Sequence, residues 1–366
     1  MADQLSPCPV VMLCGYYGEH NLGDDALLLV LLKALPAHCQ VLITAHDPVH
    51  VRDLAPGSVV VNRRSLSRTI RALSSAQVLV LGGGSLLQDS SSFRSLVYYL
   101  ILIAFARIQG RTVVLWAQGL GPLRHRLSRV LVAMVLRTVQ RISWRDPESL
   151  AVAERWNLSV PMQMAPDPVW QVPRANWIGG EAVVLCWRPT PLLDHQGWLQ
   201  LIRALEALLA VVDCPLYWLA FHCQQDAPLL NTLEHQNLIS PGLRSRSQTV
   251  LVHSVEEAMD HFCRARLALP MRLHALILAA LSGSPTAGLS YDPKVASAAR
   301  MAGLPFADLR QLPSASELAE QWKNLLDQPP SVAAIKDIRE NAGAHVTMLR
   351  EVLAVSCATE QKEQKN

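Results

Sequence analysis

The chain has 366 residues, of which 50% are apolar and 17% charged, and its formal net charge is +3. That length suits two domains of ordinary size, and the composition excludes both a disordered chain and a mainly solvated coiled coil. So small a net charge, with no long run of Lys and Arg, gives no electrostatic footprint for a nucleic-acid partner.

From the N-terminus, Asp3 and the lack of a basic segment ahead of an apolar run argue against a secretory signal. Short runs of Val, Leu and Ile then alternate with longer helical patterns, which is how βαβ units around a parallel sheet read. In the first half the strand candidates are 10–16, 40–45, 77–81, 112–117, 141–144 and 161–165, enough for one doubly wound sheet. Helical periodicity or start signals mark 24–35, 93–109, 127–140 and 147–156. The apolar run 96–106 falls short of the roughly 20 residues that span a bilayer and reads as a buried helix. Basic faces around Arg124, Arg126, Arg129 and Arg137 could meet anionic lipid, although a solvated helix face is the favoured reading. Residues 166–180, rich in Pro and Gly, carry neither period and form the linker candidate. A second strand series follows at 182–187, 216–221, 249–252, 267–269 and 286–289, then helices at about 315–326 and 331–355 and a frayed tail from Thr359. The expected architecture is therefore α/β, with domains at 1–170 and 171–310 and closing helices at 311–366 that pack back on the first domain. Eight cysteines without a C-x-x-C pair read as reduced core thiols. These readings together describe a soluble, cytoplasmic two-domain protein whose site lies in a cleft between the halves.

Ligands of open α/β sheets bind beyond the carboxyl ends of the strands, so the residues there matter most. After the first strand, the segment from Gly15 to Asp25 opens into a helix; Asp24 is placed as N-cap, and a helix N-terminus favours an anion. The spacing is not G-x-G-x-x-G, which weakens a dinucleotide reading, and a plain strand-to-helix turn has equal standing if the motif is taken alone. Gly82-Gly83-Gly84 follows the third strand and permits positive φ and close backbone approach, in a ligand-facing loop or in a tight turn. Next come Gln118-Gly119-Leu120-Gly121-Pro122 and Ser143-Trp144-Arg145-Asp146, which set a bidentate cation at a strand end beside a helix cap. In the second half, Arg272-Leu273-His274 and Tyr291-Asp292-Pro293-Lys294 occupy two further strand-to-helix junctions. An Arg and a His two residues apart, with a Lys one strand later, form a compact set of cations with an acid/base group.

In this order the motifs, with Asp167-Pro168, resemble the polysaccharide pyruvyltransferase family, in particular its bacterial cell-wall type, over residues from about 10 to 305. The resemblance implies a GT-B-like glycosyltransferase architecture of two facing Rossmann-like domains. It also implies transfer of the enolpyruvyl group of phosphoenolpyruvate onto two hydroxyls of one sugar, giving a pyruvate ketal and phosphate. Carried onto this chain, Arg145, Arg272 and Lys294 match the cations that bind phosphoenolpyruvate, and His274 the general acid. Tyr16, Asn21, Asp24, Gly83 and Gly84 fall to the acceptor. No metal or cofactor is implied beyond phosphoenolpyruvate as co-substrate, and the acceptor is expected on a lipid-linked glycan, with peripheral membrane contact. Two positions depart from the family pattern: Asp25 stands where many relatives have Glu, and Pro166-Asp167-Pro168-Val169 replaces an alanine-flanked version. A nucleotide-sugar-dependent GT-B glycosyltransferase is the main alternative. A non-catalytic sugar-binding protein and a nicotinamide oxidoreductase rank behind it.

Overall fold

The computed structural model describes residues 9–37, 39–90 and 92–363, with side chains to 357. Asp3 and Cys8 lie outside the described residues, as do the side chains of the tail from Thr359. The chain forms two compact units: one holds the residues up to Glu19, Leu27–Pro168 and those from Asn341, the other His20–Ala26 and Val169–Glu340.

The first unit is built on seven strands: β1 (Val11–Cys14), β2 (Val41–Ala45), β3 (Val59–Asn62), β4 (Val78–Leu87), β5 (Thr112–Leu120), β6 (Arg141–Trp144) and β7 (Met162–Met164). All neighbours run parallel in the order β3-β2-β1-β4-β5-β6-β7, which reverses between β1 and β4. The central strands are continuous apolar runs because helices cover both faces of a parallel sheet. β3, with the helices Pro48–Leu54 and Leu66–Ser75 on either side, is absent from the sequence reading. It is a four-residue edge strand, exposed or half-buried throughout, so no buried period marks it.

Two boundaries move for physical reasons. β4 does not stop at Leu81 but runs through the glycines to Leu87, with Gly83 at φ 64° and Gly84 at φ 82°. The Gln118 amide holds this extension by donating to Leu81 O (3.2 Å) and Gly83 O (3.0 Å). A Cβ on Gly83 would sit 2.9 Å from Leu27 Cδ2, and one on Gly82 would overlap Leu31 and Tyr17. The space before these two glycines is thus filled by the chain itself, as helix-to-strand packing in doubly wound sheets requires. The helix Leu22–Ala34 likewise begins earlier than expected. Its N-cap is Asn21 and not Asp24: the Asn21 carbonyl accepts from Asp24 N (2.9 Å) and Asp25 N (3.1 Å), and its side chain from Gly23 N (3.3 Å). Asp24 lies in the first turn and accepts from Asn21 Nδ2 at 2.5 Å.

At the chain's end one expected helix is two, Val332–Ala342 and Ala344–Glu363, divided at Gly343. The second stays helical past Thr359, where fraying was expected. It is tied to the first unit by Arg350 Nε to Ala34 O (3.1 Å) and by Trp116 Nε1 to His345 O (3.0 Å).

The second unit carries β8 (Ala182–Cys186), β9 (Leu216–Ala220), β10 (Ser247–Leu251) and β11 (Ala265–Pro270), parallel in the order β10-β9-β8-β11. A parallel bridge from Ala268 to Thr286 leads on to the pair β12 (Gly288–Ser290) and β13 (Phe306–Asp308). β13 has only three residues and escapes the sequence reading. Trp187, Trp198 and Trp218 pack in the core of this unit, Trp187 edge-on to Trp218 at 5.4 Å. The helix Ala315–Asn324 opens with a Ser314/Glu317 capping box and packs on His195–Leu209.

Cys14, Cys186, Cys214 and Cys263 are buried and reduced as expected, but Cys39 is disulfide-bonded, Cys223 is exposed and Cys357 only half-buried. No helix of the described residues is long and apolar enough to cross a membrane.

Candidate functional site

In the second unit the strand order reverses between β8 and β11, and such a reversal opens a crevice at the carboxyl ends of the strands. Residues that bear chemistry follow four of these ends: Arg188 after β8, His222 after β9, Arg272 and His274 after β11, and Tyr291 to Lys294 after β12. Arg272 takes the N-cap position of the helix Leu273–Leu281 but makes no capping bond with its side chain. That helix is wholly buried from Ala275 to Leu281, so the turn ahead of it is firmly placed.

The Arg272 guanidinium grips Asp226 bidentately, Nε to Oδ2 at 2.7 Å and Nη2 to Oδ1 at 2.5 Å. Asp226 Oδ2 also accepts from the His222 backbone N–H at 2.8 Å. Both partners are buried, Arg272 at 8% exposure and Asp226 at 5%. Burial opposes the charge on Arg272, but Asp226 outweighs it and holds the guanidinium pKa above its ordinary value. His222 is also buried at 8% exposure, and its Nδ1 finds no partner outside its own residue among those described. Burial, and then the Arg272 charge, push the His222 pKa below its ordinary value, which favours the neutral ring.

The short segment 20–26 belongs to this same unit. Leu22 N donates to Phe221 O at 2.9 Å, and Asn21 pairs antiparallel with His222. A Cβ at Gly23 would overlap the His274 imidazole, 2.9 Å from its Cγ. Gly23 is therefore the residue that lets this ring lie against the start of the helix Leu22–Ala34. Asn21, Asp24, His222, Arg272 and His274 are thereby gathered in one neighbourhood. Lys294 is half-buried in the first turn of the helix Pro293–Met301, and its backbone N–H donates to Asp292 Oδ1 at 3.0 Å. Arg188 donates to the Tyr291 hydroxyl at 3.2 Å and lies 4.9 Å over the Tyr291 ring. A buried guanidinium beside an imidazole can hold an anion and move a proton to or from it.

Arg188, His222 and Asp226 are missing from the sequence reading. Arg188 and His222 each follow a strand that was read correctly, so position beyond the carboxyl end was an available signal. Asp226 had none, because its partner lies 46 residues away.

Arg145 belongs to the first unit, just past β6. Its Nη1 pairs with Asp167 Oδ2 at 2.9 Å and its Nη2 donates to Ser85 Oγ at 3.2 Å, while its Nε has no partner among the described residues. Asp146 caps the helix Pro147–Arg155 through Oδ1 to Ser149 N (2.7 Å), as its place in the sequence suggested. A Cβ on Gly119 would come within 2.5 Å of Ser85 Oγ, 3.3 Å of Arg145 Nε and 3.4 Å of Asp146 Oδ2. Three polar atoms thus converge over a glycine at the strand ends. Tyr16 is 39% exposed, with the Arg63 guanidinium 4.6 Å over its ring, and Arg63 pairs with Glu19 at 2.7 Å. Among the described residues no group of three or more His, Cys, Asp or Glu side chains is placed to hold a metal ion.

The chain carries two parallel α/β sheets, and solved structures of the GT-B fold match it over nearly the full length. Anabaena HepE in complex with UDP and glucose matches with a TM-score of 0.57 at 11% identity, covering 98% of this chain and 100% of its own. The UDP-GlcNAc 2-epimerase of Methanocaldococcus jannaschii gives 0.62 at 11% identity (94% and 99%), and that of Neisseria meningitidis bound to UDP-GlcNAc 0.58 at 11% (94% and 99%). Residues 21–293 match the polysaccharide pyruvyl transferase family, and the chain belongs to it. A search of curated proteins found no matching relative.

Proposed function

We propose that this transferase moves the enolpyruvyl group of phosphoenolpyruvate onto a sugar of a cell-envelope polysaccharide precursor, closing a pyruvate ketal and releasing phosphate. Family membership supports pyruvyl transfer onto a polysaccharide. The observation that carries the donor reading is the turn after β11, where a buried Arg272 fixed by Asp226 stands two residues from His274. Phosphoenolpyruvate bears a carboxylate and a phosphate, the groups that guanidinium forks pair with best.

In this reading His274 gives a proton to the methylene carbon, and electron demand at C2 draws in the first sugar hydroxyl, forming a C–O bond. The second hydroxyl then displaces phosphate from C2 and closes the ring, each hydroxyl losing its proton. Arg272 and Lys294 supply positive charge for the donor and for the departing phosphate. Asn21 and Asp24, on the segment against which the His274 ring lies, are the acceptor-side residues, whereas Gly83 is closed off by Leu27. The acceptor is an N-acetylated hexosamine on a lipid-linked glycan, which places the enzyme in the cytoplasm at the inner face of the membrane.

The test is to incubate the purified chain with phosphoenolpyruvate and a panel of acceptor sugars, and to follow the added pyruvate by mass spectrometry and the phosphate released. His274→Ala is expected to lose at least about 100-fold in turnover, the usual worth of a positioned acid, with an unchanged circular dichroism spectrum. Full turnover by that variant, or consumption of a UDP-sugar in place of phosphoenolpyruvate, would overturn the reading.

A further inference from the structure

The helix Arg126–Leu136 of the first unit turns one side into the core, through Ser128, Val132 and Leu136, all fully buried. On its other side Leu127, Val130 and Met134 are exposed at 60%, 55% and 59%. Their spacing of three and four residues lines them up as one apolar stripe along the solvent face. Arg124, Arg126, Arg129 and Arg137 are exposed beside that stripe, and the helix contains no Asp or Glu. None of these four guanidinium groups pairs with a carboxylate among the described residues. Arg129 donates instead to the carbonyls of Leu123 and Arg124, and Arg137 to those of Ala133 and Trp156. The neighbouring carboxylate of Asp89 is engaged by the backbone N–H groups of Arg124 and His125. The helix Phe93–Ile108 packs against this one and exposes Phe93 (43%), Ile101 (38%) and Ile108 (84%).

An exposed apolar row rimmed by cations on a protein surface marks an interaction site. A second copy of this chain fits it poorly, since a two-fold contact would bring the same four positive charges face to face. An anionic bilayer matches both features, taking the apolar side chains at the level of its headgroups and the guanidinium groups against its phosphates. A stripe on an 11-residue helix is too short to span a membrane and long enough to lie on one. We infer that the helix Arg126–Leu136, with the exposed side of Phe93–Ile108, docks this protein on the surface of an anionic lipid bilayer. The inference stands on exposure and charge alone, so it survives or falls separately from the donor and acceptor assignments.

Flotation of the purified full chain with vesicles tests it. The chain should rise with phosphatidylcholine vesicles containing phosphatidylglycerol, stay behind with phosphatidylcholine alone, and be released by high salt, a readout that needs no variant. Leu127→Glu combined with Met134→Glu should abolish flotation. Arg124→Gln with Arg126→Gln should weaken it by about fivefold for each charge removed. All four positions are exposed, so melting temperature should hold. A chain that ignores phosphatidylglycerol vesicles, or variants that float as well as the unchanged protein, would overturn the inference. So would a concentration-dependent dimer that the double Glu variant dissociates, which would assign the face to a second copy.

Discussion

At the scale of single residues, the most consequential bond in the second unit is one that no reading of a linear sequence supplies. Arg272 and His274 were legible because they sit together just beyond an apolar strand, where a cation and an imidazole have no packing reason to be. Asp226 was not legible, being an ordinary acidic residue in a short helix until the fold brings it to Arg272. Its removal leaves a buried guanidinium without its counter-charge, and breaking a buried pair in this way costs about 3–5 kcal/mol. Asp226→Ala should therefore lower unfolding free energy by that amount in denaturant titration. The loss should shrink when Arg272 is also replaced by Met, because the orphaned charge is then gone too. Equal losses in the single and double variants would show that Asp226 acts through the His222 backbone N–H and not through Arg272.

Among elements, the starts of the strongly apolar strands were read within two residues, since a parallel sheet covered on both faces leaves a continuous hydrophobic signature, whereas β4 and β5 run past their expected ends into the glycine-containing segments. β3 and β13 lacked that signature, being short strands at sheet edges. The glycine triplet was recognised as special, but the reason for it was not visible. Sequence shows that positive φ is permitted there; only the packed structure shows Leu27 and Leu31 of the helix Leu22–Ala34 pressed onto Gly83 and Gly82. Gly83→Ala would hold a Cβ in the left-handed region, a cost of about 1–2 kcal/mol. It would also overpack the contact with Leu27, adding about 1–3 kcal/mol. A lowered melting temperature with little change in secondary structure is the expected result. If the triplet were kept only for a ligand, the variant would melt normally and lose activity alone.

On the scale of the whole molecule, the closing segment of the chain is secured to the first unit by a buried histidine. His345 is fully buried and its Nε2 lies 3.2 Å from Ala165 O and 3.0 Å from Pro166 O, while its own carbonyl accepts from Trp116. Burial drives its pKa from 6.5 down to about 4, against the pull of Asp167 and the backbone carbonyls and with some help from Arg145. Above pH 6.5 the ring is neutral in both folded and unfolded chains, and its contribution to stability is complete. Between 6.5 and about 4 the unfolded chain takes up a proton that the folded one refuses, so stability falls as the solution is acidified. The slope is about 1.4 kcal/mol for each pH unit from this one group. Urea unfolding at about pH 7.5 and about pH 5 should accordingly show a fall that is larger in the unchanged protein than in His345→Gln by about 2 kcal/mol. Gln is the chosen replacement because its amide can still donate toward the Ala165 and Pro166 carbonyls without titrating. Matching acid sensitivity in the two proteins would mean that the ring opens to solvent and is protonated without unfolding. The helix Ala344–Glu363 would then be released from the first unit as a local event, with hydrogen exchange in that helix rising at pH 5 ahead of the β-sheet.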